Sequence, residues 1–479
     1  MELAAALAMC LALGALGLAL LRMLLVRVEA LDGLALAFPL GAGALTWFLF
    51  LVSWLGFSLS GLAVGLVWGT VLAAALLVRW RTGPFPRPAP HRQTPDCQPT
   101  RLPPAALAGV LLVLLTATGC AAWLGISRSY SGWDDMAIWG VKGFAIAREG
   151  SIWAAGDWGD HGLAYPLNVP LLIAVLRFTG DALPASKLVF ALFYLSLAAG
   201  CLRFWLQRGV AALIAVLGAF WLALTPVVFE HATLGYANLP YTFYLVAACV
   251  EAVQGFLTGN SRRLVLSGVL LGLAAWTRPE GTLAAASIIV AVLVALRIAR
   301  VGKARVAAWL LPVVVLAGAW QTFVASQGVI GQIGQALQLA IEAGARGELH
   351  LDAVYWTVRF MARQSFEWSV WGLLIPACAG FLILRVRRLT PRSNPDAFLL
   401  AVMCAAVLVG VSVQFYLADF LGQLMNYLGN SANRMYMPGV VLVVLLTILL
   451  TRSPAGNGLP AAVQMPNGPV TDVSAGEPG

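Results

Sequence analysis

Apolar residues run in long blocks along the chain, and most polar residues fall between the blocks. Uncharged stretches of about 20 residues have the length that a bilayer selects. They recur at about 3–22, 33–56, 58–78, 104–126, 182–202, 209–229, 239–257, 264–277, 281–297, 306–326, 367–384, 396–417 and 435–451. The pattern predicts an all-α polytopic membrane protein with about thirteen transmembrane helices. A further apolar stretch, 166–178, is short for a crossing and reads as interfacial or re-entrant. The first block follows only Met1 and Glu2, with no basic flank, so it reads as a retained span rather than a signal peptide.

Composition agrees. Of the 479 residues, 60% are hydrophobic and 11% are charged, against about 25% charged in an ordinary soluble domain. The net charge of +9 raises the question of a nucleic-acid partner. No basic, aromatic-interleaved soluble segment exists to bind one, so nucleic acid is excluded as a partner and the excess is assigned to membrane topology. The seven cysteines show no CxxC or other metal spacing and read as small buried hydrophobes.

Charge sets the expected orientation. With the N-terminus outside, the inner connections carry Arg22 and Arg27, the run from Arg79 to Arg101, Arg203 and Arg208, Arg262 and Arg263, the cluster from Arg297 to Arg305, the cluster from Arg385 to Arg392, and Arg452. One assignment thereby makes every inner loop basic, as the positive-inside rule requires. An odd number of spans places the C-terminus in the cytoplasm. The expected organisation is three leading helices over 1–80, a Pro- and Arg-rich cytoplasmic linker over 81–103, a core over 104–452, and a disordered cytoplasmic tail over 453–479. Two outer loops are long, 127–181 and 327–366. The second contains Ile330–Ala345 and Val354–Met361, whose patterns predict amphipathic helices lying on the membrane surface.

Charge inside the spans is almost absent: Lys187 lies near an outer end and Glu251 near an inner end. Ion-coupled transporters use ionisable groups near the midplane. Here the charged groups crowd the outer ends, which points to chemistry at the outer membrane–water boundary.

Three outer segments carry that chemistry. The first opens with Ser131-Gly132-Trp133-Asp134-Asp135, continues as an interfacial helix over 134–149, and ends with His161, Tyr165 and Pro166. Adjacent carboxylates just beyond a span read either as a helix cap with first-turn charge or as a general base with a neighbouring carboxylate that binds, orients or holds a cation. Lys142 is seven residues from Asp135, on the same helical face, and suits a phosphate. The second segment is Trp276-Thr277-Arg278-Pro279-Glu280-Gly281. Fifteen steps of helix from Arg263 reach roughly 22 Å, short of the hydrocarbon core of about 30 Å, so Arg278 and Glu280 are expected in a recess. They read either as a simple ion pair or as a phosphate-binding guanidinium with its neighbour. The third is read as a final outer loop holding Asp419, Gln423, Asn426, Tyr427, Asn430, Ser431, Asn433, Arg434 and Tyr436, whose amides and phenols suit sugar hydroxyls and whose Arg434 suits phosphate. His231 and Asn238 occupy another outer turn. A metal site from His161, His231 and nearby carboxylates has no spacing signal, and no metal ligand is assigned.

The Asp pair after a span, the loop ending in Tyr165-Pro166, the turn from Trp276 to Gly281, and the late Ser431-x-x-Arg434-x-x-x-Pro438 resemble the GT-C membrane glycosyltransferases. The likeness is to the protein O-mannosyltransferases, the lipid A aminoarabinose transferase and lipopolysaccharide-core relatives. It covers roughly 104–452. The acidic motif follows the fourth span here, where family members commonly place it after the first, and it is Asp-Asp rather than the frequent Asp-Glu; the role of the three leading helices stays open. The resemblance implies a GT-C-like fold and an inverting transfer of sugar from a polyprenyl-phosphate donor to an acceptor hydroxyl, at the periplasmic or outer face of an inner (plasma) membrane. Asp134 is then the catalytic base and Asp135 its partner in the motif, with Arg278, Lys142 and Arg434 as donor-phosphate ligands. His161, Tyr165, Glu280, His231, Asn430 and Tyr436 are substrate-binding candidates. Family members differ in metal use, so no cofactor is required and a divalent cation stays open. The acceptor, whether glycan, lipid or protein, and the sugar are not specified. Two rivals are an O-antigen ligase or polymerase with a diphosphate-linked donor, and a non-enzymatic lipid or polysaccharide transporter.

Overall fold

A computed structural model describes residues 2–25, 28–82, 99–130, 132–158, 161–178, 180, 184–298, 301–391 and 393–452. Most of the expected linker and the whole expected tail lie outside the described residues. Among those described, the chain is helical and contains no strand.

The leading helices are α1 (Glu2–Leu24), α2 (Ala30–Trp54) and α3 (Gly61–Thr82). After α4 (Pro104–Ser127), a π-helical turn over Asp134–Gly140 runs into α5 (Val141–Glu149), followed by α6 (Ala154–Asp157) and α7 (Asn168–Arg177). Then come α8 (Leu188–Gln207), α9 (Ala212–Ala223), α10 (Pro226–Thr233), α11 (Asn238–Thr258), α12 (Ser261–Thr277), α13 (Pro279–Ile298) and α14 (Lys303–Ser326). The chain closes with α15 (Gln332–Ala345), α16 (Leu351–Gln364), α17 (Trp368–Trp371), α18 (Leu374–Arg385), α19 (Pro395–Asp419) and α20 (Leu424–Leu449).

Ten of these helices are long and apolar enough to cross a bilayer, and eleven if α9 and α10 form one span bent by 59°. The bend has a local cause. Helix α9 ends at Ala223, and Pro226, which has no N–H to donate, begins the next helix at its first turn. The stretch expected as one span over 367–384 is broken instead: Gly372, at φ 57°, separates α17 from a twelve-residue α18. The final outer loop expected before 435 is also helix. Its amide-rich residues form the first turns of α20, because Leu424, Leu428, Ala432 and Met435 recur at helical spacing and pack against Val411 and Phe415 of α19. The two expected amphipathic helices form as α15, near its expected bounds, and α16, which extends three residues beyond Val354–Met361 at each end.

Helices α2, α8, α11 and the later part of α20 are buried on nearly all sides, whereas α3, α4 and α14 turn most of their surface outward. Glycine permits the closest crossing. A Cβ on Gly17 would lie 1.7 Å from the Ala37 carbonyl oxygen, and one on Gly41 would lie 1.9 Å from that of Leu13, so α1 and α2 meet backbone to backbone as small residues allow in membranes. Helix α2 is tied to the later helices by charge. Arg203 of α8 pairs with Asp32 of α2 at 3.0 Å and with Glu251 of α11, which also receives Arg263 Nη1 at 2.7 Å. Two guanidiniums against two carboxylates leave this buried cluster neutral, which is what makes its burial tolerable.

Candidate active site

The Asp134-Asp135 pair sits on the π-helical turn after α4. The wider turn inserts a residue into the helical register, a feature found often at functional sites, and it sends the two carboxylates to different surroundings. Asp135 is fully buried and receives Lys187 Nζ at 3.1 Å. Lys187 also donates to the Ser129 carbonyl at 3.0 Å and lies 4.6 Å from the centre of the Tyr130 ring. Tyr130 in turn bonds Ser186 at 2.7 Å. A Cβ on Gly235 would come within 2.0 Å of Asp135 Oδ1, so backbone closes over the carboxylate where a side chain would not fit. Asp134 instead faces a partly open space and pairs with Arg434 Nη1 at 2.7 Å. Arg434 Nη2 donates to Ser431 Oγ at 2.8 Å, and its guanidinium lies 5.1 Å from the Tyr236 ring centre.

Arg278 and Glu280 lie at the α12–α13 turn and are buried among the packed helices. Arg278 donates Nε and Nη2 to the two oxygens of Glu280, at 3.0 and 2.8 Å, and Nη1 to Asn238 Oδ1 at 2.8 Å. The ion-pair alternative therefore describes the resting arrangement. The turn is braced by Asn168, which donates to Thr277 Oγ1 at 2.7 Å. It is also closed by Gly281, where a Cβ would lie 2.2 Å from the Ala274 carbonyl oxygen.

Tyr165 links the parts. Its ring meets Trp139 edge-on at 5.7 Å, and His161, held at φ 62°, stacks on it at 4.9 Å. Burial pushes the Tyr165 phenol above its ordinary range, and the Glu280 carboxylate adds to this, with Arg278 opposing and Tyr427 and Asp134 contributing further. The hydroxyl is thus a neutral donor. Lys142 does not turn toward Asp135, although seven residues would stack them on a regular helix: it is buried and donates to the Gly162 carbonyl at 2.7 Å, with Tyr165 5.6 Å away. The π-turn shifts the register between the two residues.

The other expected site residues divide. His231 is buried with its ring edge-on to Tyr236 at 5.8 Å; one nitrogen faces the Val227 carbonyl at 2.9 Å and Nε2 has no hydrogen-bond partner among the described residues. Tyr436 is a packing residue. It bonds Ser412 at 2.8 Å and stacks on Phe415 at 5.6 Å. Asn430 is exposed and bonds Asn426 one turn earlier. Asp419 takes up His350, which stacks on Phe420. No group of three potential metal ligands occurs among the described residues.

Sequence reasoning missed Tyr236 and Gln414, and it gave no function to Lys187. A lone lysine at the start of an apolar span was the one available signal, since burial there calls for a carboxylate partner. A cavity of about 450 Å³ adjoins Tyr165 and Glu280, between α13, α14 and the start of α15. Its walls combine Gln332, Gln414 and Tyr427 with Leu283, Trp320 and Ile333.

The chain matches no family model, no curated protein and no solved structure. The chemistry that follows is therefore argued from these residues.

Proposed function

We propose that this integral membrane protein is an inverting glycosyltransferase of the GT-C type, which moves a sugar from a polyprenyl-phosphate donor to an acceptor hydroxyl at the outer face of the membrane. The observation that carries the reading is the Asp134–Arg434 pair, a partly exposed carboxylate and guanidinium 2.7 Å apart, whose carboxylate is near enough to act on the phenols of Tyr165 and Tyr427, two residues that line a cavity large enough for a substrate group. Such a transfer needs a base for the incoming hydroxyl and a cation for the departing phosphate, and here the two are adjacent.

In this scheme the acceptor hydroxyl displaces Arg434 from Asp134. The carboxylate takes the hydroxyl proton as the acceptor oxygen attacks the anomeric carbon. The bond from that carbon to the phosphate oxygen breaks on the opposite face, and the electron pair leaves with the phosphate. Arg434, released from Asp134, receives the growing charge, as a preorganised cation does. Arg278 sits behind it in a neutral pair with Glu280. Asp135, held by Lys187, fixes the turn that aims Asp134 and is a positioning residue. The thirteen-span topology, with N-terminus outside, C-terminus in the cytoplasm and location in an inner membrane, belongs to the same proposal and is supported by the basic inner loops.

The test uses the full chain in liposomes, with isoprenyl-monophosphate and isoprenyl-diphosphate sugars supplied separately. Transfer from the monophosphate alone, lost in Asp134→Asn with folded protein retained, is expected. Transfer only from the diphosphate would move the assignment to a ligase or polymerase. Comparing envelope glycans by mass spectrometry, with and without the protein, identifies the missing unit and its acceptor.

A further inference from the structure

The three leading helices supply none of the charged residues of the candidate site, and they enclose a cleft of their own. It measures about 790 Å³ and is lined by Leu20 and Met23 of α1, Phe48 and Val52 of α2, and one face of α3 from Leu62 to Val78. Both α1 and α3 start at the end of the bundle that carries Asp134: a Cβ on Gly180 would lie 3.7 Å from Glu2 Cα, and the Leu59 amide donates to the Gly150 carbonyl at 2.7 Å. Trp68 Nε1 donates to the Ala12 carbonyl at 2.9 Å and holds α3 alongside α1. Both helices therefore end at the opposite face, with Arg22 in the last turn of α1 and Arg81 in the last turn of α3.

The two ends of the cleft differ chemically. At the Asp134 end its hydroxyls are engaged: Ser58 Oγ donates to the Gly150 carbonyl at 3.4 Å, and Ser60 Oγ accepts from the Ala63 amide at 3.2 Å. Glycine at 150 lets backbone seal that end, since a Cβ there would lie 2.7 Å from both the Leu59 carbonyl oxygen and Ser58 Oγ. Among the described residues no charged side chain lines the cleft. At the far end, Ala74, Val78 and Arg81 follow at i, i+4 and i+7, on one helical face, and Arg81 is exposed. The wall from Val67 to Val78 runs roughly 17 Å at 1.5 Å per residue, close to one leaflet, which is half of a core of about 30 Å. An apolar wall of one-leaflet length that ends on an exposed guanidinium matches an acyl chain with a phosphate at its head. A second copy seated symmetrically on this face would instead set Arg81 against its own counterpart, and like charges repel.

We propose that this cleft binds an anionic phospholipid of the leaflet opposite Asp134, with an acyl chain along α3 from Val67 to Val78 and the phosphate on Arg81. The apolar walls accept any acyl chain, so Arg81 supplies the choice of headgroup. The assignment gives the leading helices a binding role that does not depend on the glycosyltransferase reading.

The test places the full chain in nanodiscs of equal parts phosphatidylglycerol and phosphatidylcholine, with a mid-chain diazirine on one of the two lipids in each run. Irradiation and peptide mass spectrometry locate the attached lipid. Label on Leu20, Met23 and the segment from Val67 to Val78 is expected, roughly fivefold heavier from phosphatidylglycerol, the preference that one basic residue gives near a membrane surface. Arg81→Gln should make the two lipids label equally while the label stays in place. Ala74→Trp, which fills the cleft from α3, should remove it. Equal labelling by both lipids in the wild-type chain overturns the proposal. So does a preference that survives Arg81→Gln, or a label unchanged in Ala74→Trp. Label spread evenly over α3, α4 and α14 also overturns it, because bulk lipid then covers the face. A dimer mass in native mass spectrometry, with the cleft unlabelled, gives the face to a second copy and overturns it too. Each variant is checked for monodispersity by size-exclusion chromatography; if Ala74→Trp does not fold, Arg81→Gln and the wild-type label map decide.

Discussion

Asp134 and Arg434 pair at 2.7 Å although one lies just after α4 and the other on the first turns of α20. The contact joins the two ends of the core sequence across the site. Each side chain is only about one-seventh exposed, at 15% and 14%, so the pair is shielded yet open to a substrate.

The two halves of this pair should fail differently. Asp134→Asn removes the base and is expected to reduce transfer by about 10²- to 10⁴-fold, the range of general base catalysis, with donor KM little changed. Arg434→Gln leaves the base but removes the phosphate cation, so donor KM should rise as kcat falls. Identical kinetic profiles for the two variants would show that both act only through folding.

Lys187 and Asp135 form a buried pair whose removal is costly from either side. Lys187→Met strands a buried carboxylate and should destabilise the protein by about 3–5 kcal/mol. The double variant Lys187→Met with Asp135→Leu removes both charges and should recover much of that loss. Thermal unfolding in nanodiscs reads the difference. A double variant as unstable as the single one would mean the damage comes from packing.

Gly235→Ala tests the cover over Asp135. The new methyl would lie 2.0 Å from Asp135 Oδ1 and 2.5 Å from Tyr130, so the π-turn must move. Transfer should drop at least about tenfold, as small misplacements of reacting groups cost rate, while the protein stays folded. Wild-type kcat in a folded Gly235→Ala protein would separate the turn's geometry from catalysis.

Arg278 uses its planar fork on both oxygens of Glu280 and a third nitrogen on Asn238. Lysine cannot reproduce that arrangement. Arg278→Lys should therefore behave much like Arg278→Ala, with donor KM raised and stability lowered by about 3–5 kcal/mol for the stranded carboxylate. Full stability in Arg278→Lys would show that charge alone suffices at this turn.

The sequence by itself determined that the protein is helical and built for a membrane, because bilayer thickness and missing charge act on each segment locally. It also singled out the turn with Arg278 and Glu280 between two apolar segments, where Pro279 opens the second helix. It determined that α15 and α16 are amphipathic helices, from their one-sided apolar pattern. Tertiary structure alone decided which charges meet. Asp134 met Arg434, and Lys142, expected on one face with Asp135, lies under the Gly162 carbonyl instead, because a π-turn shifts the register that heptad spacing assumes. Asp135 met Lys187, Tyr436 went into packing with Phe415, and the amide-rich stretch became the first turns of α20, because burial against distant helices outweighs local polarity. The partners in these pairs come from segments far apart in the chain, and no local pattern encodes that distance.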